Sequence, residues 1–202
     1  MAPRKRSRAR DKSSAPGRLR IVAGKWRSRL LPVADVPGLR PTSERIRETL
    51  FNWLAPSIEG ASCLDLFAGS GALGLEALSR GAASVTFVEN SPPAAGTLRR
   101  AIETLQADGA SVHEGDALEL LRGQATRRFD VVFVDPPFAT GVHERVCRLL
   151  DQNGWLADNG MVYLEQDGDQ ALPALPAGWT TRRQKIAGNV RYSLIEAGGE
   201  PT

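Results

Sequence analysis

Metal-binding and redox residues are scarce. The 202 residues include two cysteines, Cys63 and Cys147, and two histidines, His113 and His143. Neither pair falls in a Cys-x-x-Cys or His-rich spacing, which argues against a structural zinc site, and no metal is expected. Two cysteines are too few for a disulfide framework, which suits a reducing cytoplasm. Cys63 falls in an apolar strand pattern and reads as a core residue. Long hydrophobic runs are missing as well. The longest lie far short of a membrane span, so no membrane partner is expected. The basic opening is not followed by the apolar stretch of a secretory signal. Hydrophobic residues still make up 42% of the chain, enough for the core of one α/β domain with extra segments.

Acids are scarce at one end only. Residues 1–47 carry a net charge of +11, whereas residues 48–202 carry −8. A separation this strong points to a polyanion contact at the N-terminal end. The opening "MAPRKRSRARDKSSAPG" is polar, arginine-rich and poor in aromatics, the composition of a disordered tail. "LRIVAGKWRSRLLPV" (19–33) has two short strand patterns around Ala23-Gly24-Lys25, a small basic hairpin carrying Trp26. Pro41 then precedes Thr42-Ser43-Glu44, a helix start with a capping hydroxyl and an early acid. Ile46, Leu50, Trp53 and Leu54 follow at helical spacing. The expected organisation is a disordered basic tail (1–18), a basic hairpin (19–40) and a catalytic domain (41–202).

From Ser62 onward short apolar strands (62–67, 84–89, 111–113, 129–135, 160–165) alternate with helical stretches (72–80, 91–107, 116–122, 141–152). The alternation predicts parallel βαβ units in a Rossmann-like α/β fold with helices on both faces. "GWTTRRQKIAGNVRYSLIEA" (178–197) reads as strand, Gly-Asn turn, strand. About seven strands result, the last one reversed.

"CLDLFAGSGALGLEAL" (63–78) sets Gly69, Gly71 and Gly74 between a strand and a helix. This spacing also fits the dinucleotide fingerprint, with Glu89 where a ribose-binding carboxylate would lie. Asp65 separates the two cofactor classes. A carboxylate four residues before Gly69 would repel the pyrophosphate of a dinucleotide. It would attract S-adenosylmethionine, whose methionine end is an ammonium and whose sulfur is positive. Asp116, in "HEGDALELL", ends another strand before a helix. It can accept from an adenine amine while the Ala117 amide donates to the ring, or it can simply cap the helix.

"VVFVDPPFA" (131–139) ends an apolar strand on an acid. Proline cannot extend the ladder, so Asp135 sits at the carboxyl end of its strand, where α/β sheets hold ligands. An exocyclic amine on a nucleobase is a poor nucleophile because its lone pair is delocalised into the ring. Acceptors on both N–H groups free that lone pair. The Asp135 carboxylate can be one and the Pro136 carbonyl, stiffened by Pro137, the other. Phe138 offers a stacking face, worth roughly 1–3 kcal/mol in single-strand systems.

"DPPF" downstream of "DLFAGSG" resembles the amino-methyltransferases of the class I S-adenosylmethionine fold. "RPTSERIRETLFNWL", "LDLFAGSGALGLEALSRGA", "VFVDPPF" and "NGWLADNG" resemble more narrowly the bacterial 16S rRNA (guanine-N2) methyltransferases of the RsmD type, over about residues 19–196. The resemblance implies a methyl transfer to the N2 amine of guanine 966 of 16S rRNA. It implies S-adenosylmethionine contacts from Asp65, Phe67, Gly69, Ser70 and Gly71, from Glu89 and Asn90, and from Asp116 and Ala117. Asp135, Pro136, Pro137 and Phe138 would hold the target amine. Arg20, Lys25, Trp26, Arg27, Arg29, Arg40, Arg45 and Arg47 are the expected RNA contacts. A monomer acting on 16S rRNA, within the 30S subunit or an assembly intermediate, is expected. The chemistry alone leaves guanine N2, adenine N6, cytosine N4 and a glutamine amide open. A DNA adenine methyltransferase would need a target-recognition segment, which is not found between the motifs. A binding-only ribosome-assembly protein would have no need to keep both acids.

Overall fold

A computed structural model describes residues 17–36, 41–137 and 141–198. The basic tail up to residue 16, Arg40 and Phe138 lie outside them. Two short strands, β1 (Arg18–Arg20) and β2 (Leu30–Pro32), pair antiparallel. Helix α1 (Glu44–Leu54) follows, its start fixed by the Ser43 hydroxyl, which accepts from the Ile46 amide. The main sheet holds β3 (Ser62–Asp65), β4 (Ser84–Glu89), β5 (Ala110–Glu114), β6 (Phe129–Val134), β7 (Leu156–Asp167), β8 (Thr180–Ala187) and β9 (Val190–Glu196). Between them run α2 (Ala72–Ser79), α3 (Pro92–Leu105), α4 (Ala117–Arg122) and α5 (His143–Gln152).

The strand order is β5-β4-β3-β6-β7-β9-β8. β3 to β7 are parallel, and β9, last in the chain, runs against both neighbours. The alternating pattern thus gives the parallel sheet and reversed last strand expected of it. The order turns at β3, and the adjacent crevice at its carboxyl edge is where such sheets bind ligands.

Side chains alternate across the sheet and make two cores. Cys63, Val85, Val131, Phe133, Tyr163 and Tyr192 pack under α1, α2, α3 and the β1–β2 hairpin. Leu64, Val88, Val132, Val134 and Leu164 pack under α4 and α5. Helix α2, "ALGLEALS", is buried on every side, as a helix without a polar face must be. β7 starts earlier than its apolar pattern does. Asn159-Gly160 resembles a turn but is absorbed inside the strand, where Asn159 takes φ 59° and the register with β6 shifts between Phe129 and Val131.

Candidate active site

The carboxyl ends of β3, β4 and β6 bring Asp65, Glu89 and Asp135 to one crevice. The glycine loop is fixed between two strands: Leu66 N–H donates to the Phe133 carbonyl on β6, and Ala68 N–H to Val88 on β4. Glu89 closes it from below. Its Oε2 accepts from the Gly69 amide at 2.7 Å and its Oε1 from Ser91 at 2.7 Å. Gly71 begins α2 at φ 76°, a conformation that favours glycine. Gly74 is required for a different reason: a Cβ there would lie 2.2 Å from the Phe87 ring. Its amide donates to Asp65 Oδ2 at 3.0 Å. Phe67 and Ser70 are half-buried and Asn90 is exposed at the same edge. Asp116 caps α4, accepting from the Glu119 amide at 2.9 Å, with Ala117 buried behind it.

Asp135 is held differently. Its Oδ2 accepts from the Thr42 hydroxyl at 3.0 Å, across 93 residues of sequence. Pro136 is buried and Pro137 exposed beyond it. The register pairing Val134 with Leu164 sets Glu165 on β7 next to Asp135. Glu165 Oε2 accepts from the buried Tyr163 hydroxyl at 2.7 Å, and its carbonyl accepts from His143 Nε2 at 2.7 Å.

Burial pushes all three central acids up. Asp65 rises to about 7, mainly by desolvation and further by the charges of Asp135 and Glu89, against the Gly74 hydrogen bond. Asp135 rises to about 6 by desolvation, against the donor from Thr42. Glu165 rises to about 8, by desolvation and then by Asp135, against the hydrogen bond from Tyr163. Among the described residues no basic side chain forms an ion pair with any of the three. The crevice is a cluster of buried carboxyl groups that hold protons near neutral pH, and a cationic or hydrogen-bond-donating ligand would favour their ionised forms.

The expected nucleic-acid contacts divide. Arg20, Lys25, Arg27, Arg29 and Arg45 are exposed. Trp26 is not an exposed aromatic face. It is 7% exposed and belongs to the core, because the loop between β1 and β2 lies flat on α2. There the Trp26 amide donates to the Ser79 hydroxyl and the Lys25 amide to the Ser79 carbonyl. Arg47 is also withdrawn, 1% exposed and paired with Glu76 at 3.0 Å. Composition cannot show this, but position can. Arg47 occupies the buried stripe of α1 beside Ile46, Leu50 and Leu54, and Glu76 is the only acid in an all-buried helix. No sequence pattern marks Glu165 or Tyr163 as part of the site. Thr42 shows only as a polar residue next to a capping serine.

The sheet order and the acids at its carboxyl edge define a Rossmann-like methyltransferase. An RNA methyltransferase from Salinibacter ruber shares the fold at TM-score 0.62 and 16% identity. Residues 19–196 match the family model described as Conserved hypothetical protein 95, and the chain belongs to that family. The Ribosomal RNA small subunit methyltransferase D of Escherichia coli K12 is 51% identical over 189 residues, 93% of this chain and 95% of that protein. The protein of the same name in Haemophilus influenzae is 45% identical, covering 91% and 96%. The solved structure of Escherichia coli yhhF superposes at TM-score 0.83 with 47% identity, covering 90% of this chain and 99% of the other.

Proposed function

We propose that the protein transfers a methyl group from S-adenosylmethionine to the N2 amine of guanine in 16S rRNA, at guanine 966, in the 30S subunit or an assembly intermediate. The observation that carries this reading is the Asp65 carboxyl group, buried at the glycine loop with no basic partner and facing Asp135 at the end of β6. It suits a sulfonium and an ammonium and repels a pyrophosphate. Membership of a family that includes small-subunit rRNA methyltransferases supplies the substrate class.

Asp65, Phe67, Gly69, Ser70 and Gly71 line the methionine end in this reading, Glu89 and Asn90 the ribose, and Asp116 and Ala117 the adenine. Asp135 and the Pro136 carbonyl, stiffened by Pro137, accept the two N–H groups of the target amine and free its lone pair; Phe138 stacks on the base. The new N–C bond forms as the C–S bond breaks, sulfur keeps the bonding pair, and the nitrogen gives up a proton for which Asp135 is placed. The pair of acceptors makes catalysis a matter of positioning. Arg20, Lys25, Arg27, Arg29, Arg40 and Arg45 grip rRNA phosphates.

Transfer of labelled methyl to 16S rRNA and to 30S particles, followed by nucleoside analysis, tests the reaction. N2-methylguanine supports it; label in adenine or cytosine overturns the choice of amine. The combined Lys25→Glu, Arg27→Glu, Arg29→Glu protein should bind rRNA more weakly, with a flatter salt dependence. An unchanged salt slope would remove the hairpin from the RNA contact.

A further inference from the structure

The structure assigns Thr42 as the positioning residue of Asp135, built into one buried hydrogen-bonded frame that also carries the basic hairpin. The assignment rests on the methyl-transfer reading above.

The frame can be followed atom by atom. Thr42 Oγ1 donates to Asp135 Oδ2 at 3.0 Å. The Thr42 carbonyl accepts from Arg47 Nε at 3.1 Å. Arg47 Nη1 donates to Glu76 Oε2 at 3.0 Å, and Nη2 donates to the Arg20 carbonyl on β1 at 2.7 Å. Glu76 receives the Val22 amide on Oε2 at 2.8 Å, and the Ala23 amide and Arg80 Nε on Oε1 at 3.0 and 2.8 Å. Thr42, Arg47 and Glu76 are 7%, 1% and 0% exposed.

A buried ion pair of this kind adds little stability over an apolar pair of the same volume, because desolvation offsets its attraction. What it adds is geometry. Every donor of the Arg47 side chain named here has a fixed acceptor, so the Thr42 carbonyl, the Arg20 carbonyl and Glu76 cannot shift independently. Thr42 is thereby held at a fixed place over the carboxyl end of β6. Its hydroxyl takes Oδ2, which leaves Oδ1 to the target amine and sets the plane of the carboxylate.

The hydroxyl has a second effect. Asp135 is faced by Asp65 from β3 and by Glu165 and Tyr163 from β7, and its burial among them disfavours its charge. Thr42 supplies the hydrogen bond that favours the ionised form. An ionised Asp135 is the form that accepts from an amine.

The test compares wild type, Thr42→Val and Thr42→Ser for methyl transfer to 16S rRNA across pH. Thr42→Val keeps the shape and removes the donor. Its kcat should fall about tenfold or more, with KM for RNA within about threefold, as for one lost preorganised hydrogen bond. The acid limb of its pH profile should move upward. Thr42→Ser should restore both. In an Asp135→Ala background Thr42→Val should cost nothing further. Wild-type kcat and an unmoved acid limb in Thr42→Val would overturn the assignment, as would failure of Thr42→Ser to restore them. If Thr42→Val does not fold, Thr42→Ala is compared with Thr42→Ser by the same criteria. A wild-type protein inactive on 16S rRNA would instead defeat the methyl-transfer reading itself.

Discussion

The two halves of the crevice hold their acids by different means. On the glycine-loop side, Asp65 and Glu89 accept from main-chain amides of Gly74, Gly69 and Ser91, partners 9, 20 and 2 residues away. On the β6 side, Asp135 is bonded to a side chain 93 residues away, and that side chain is set by an ion pair between two other helices. Main-chain amides cannot be mutated away and move only with the loop. A hydroxyl on a separate segment can be removed without touching the strand it serves. The proposed cofactor half is therefore fixed by its local fold, and the proposed target half by the assembly of distant segments.

Mutations can break this contrast, and the largest effect belongs to the target half. Asp135→Ala should lower methyl transfer by ~10²-fold or more while S-adenosylmethionine affinity changes little. Full activity in this variant, measured with labelled cofactor, would remove Asp135 from the chemistry. Gly74→Ala strikes the other half. Its Cβ meets the Phe87 ring at 2.2 Å, so the helix must shift and carry the amide off Asp65. Overpacking of this kind costs about 1–3 kcal/mol. Calorimetry should show weakened cofactor binding along with a lower Tm; undiminished affinity would show that the loop tolerates displacement.

A smaller effect sharpens the comparison through pH. Asp65 and Glu165 are raised to about 7 and about 8, chiefly by burial, whereas in the unfolded chain they titrate near 4. Between those limits the folded state binds more protons than the unfolded one. The contribution of these acids to stability is therefore greatest at low pH and is lost as pH rises through 7 to 8. Glu165→Gln, which keeps an acceptor for Tyr163, should flatten the fall in Tm between pH 5 and 9. An equal slope in wild type and variant would mean that Glu165 titrates normally.

The same contrast explains what the sequence discloses. The strand–helix alternation, the glycine loop and the acids at strand ends are local signals, and the structure brings Asp65, Glu89 and Asp135 to one edge as their positions predict. The frame behind Asp135 joins Arg20, Val22, Ala23, Thr42, Arg47, Glu76, Arg80 and Asp135, and no local pattern links them all. Trp26 and Arg47 mislead for a physical reason. A basic segment suggests a solvated surface, yet β1 and β2 alternate, so Leu19 and Leu31 face inward while Arg18 and Arg20 face out. The alternation gives the hairpin one arginine face and one buried face. Because Leu19, Ile21, Trp26 and Leu31 are core residues, the hairpin is part of the domain's packing and not a detachable arm.

The position of β9 has a consequence for how the sheet is closed. Among the described residues β8 pairs only with β9, and β7 has β6 on one flank and β9 on the other. Without residues 190–196, β8 has no strand to join, and β7, with Val162 and Leu164, is an unprotected edge of the kind that recruits other chains. Residues 190–196 lie between these two strands and seal both. The sheet behaves as an arch whose keystone is β9, so a chain lacking residues 190–196 is expected to hold Asp135 and Glu165 on an open-edged and aggregation-prone half-sheet.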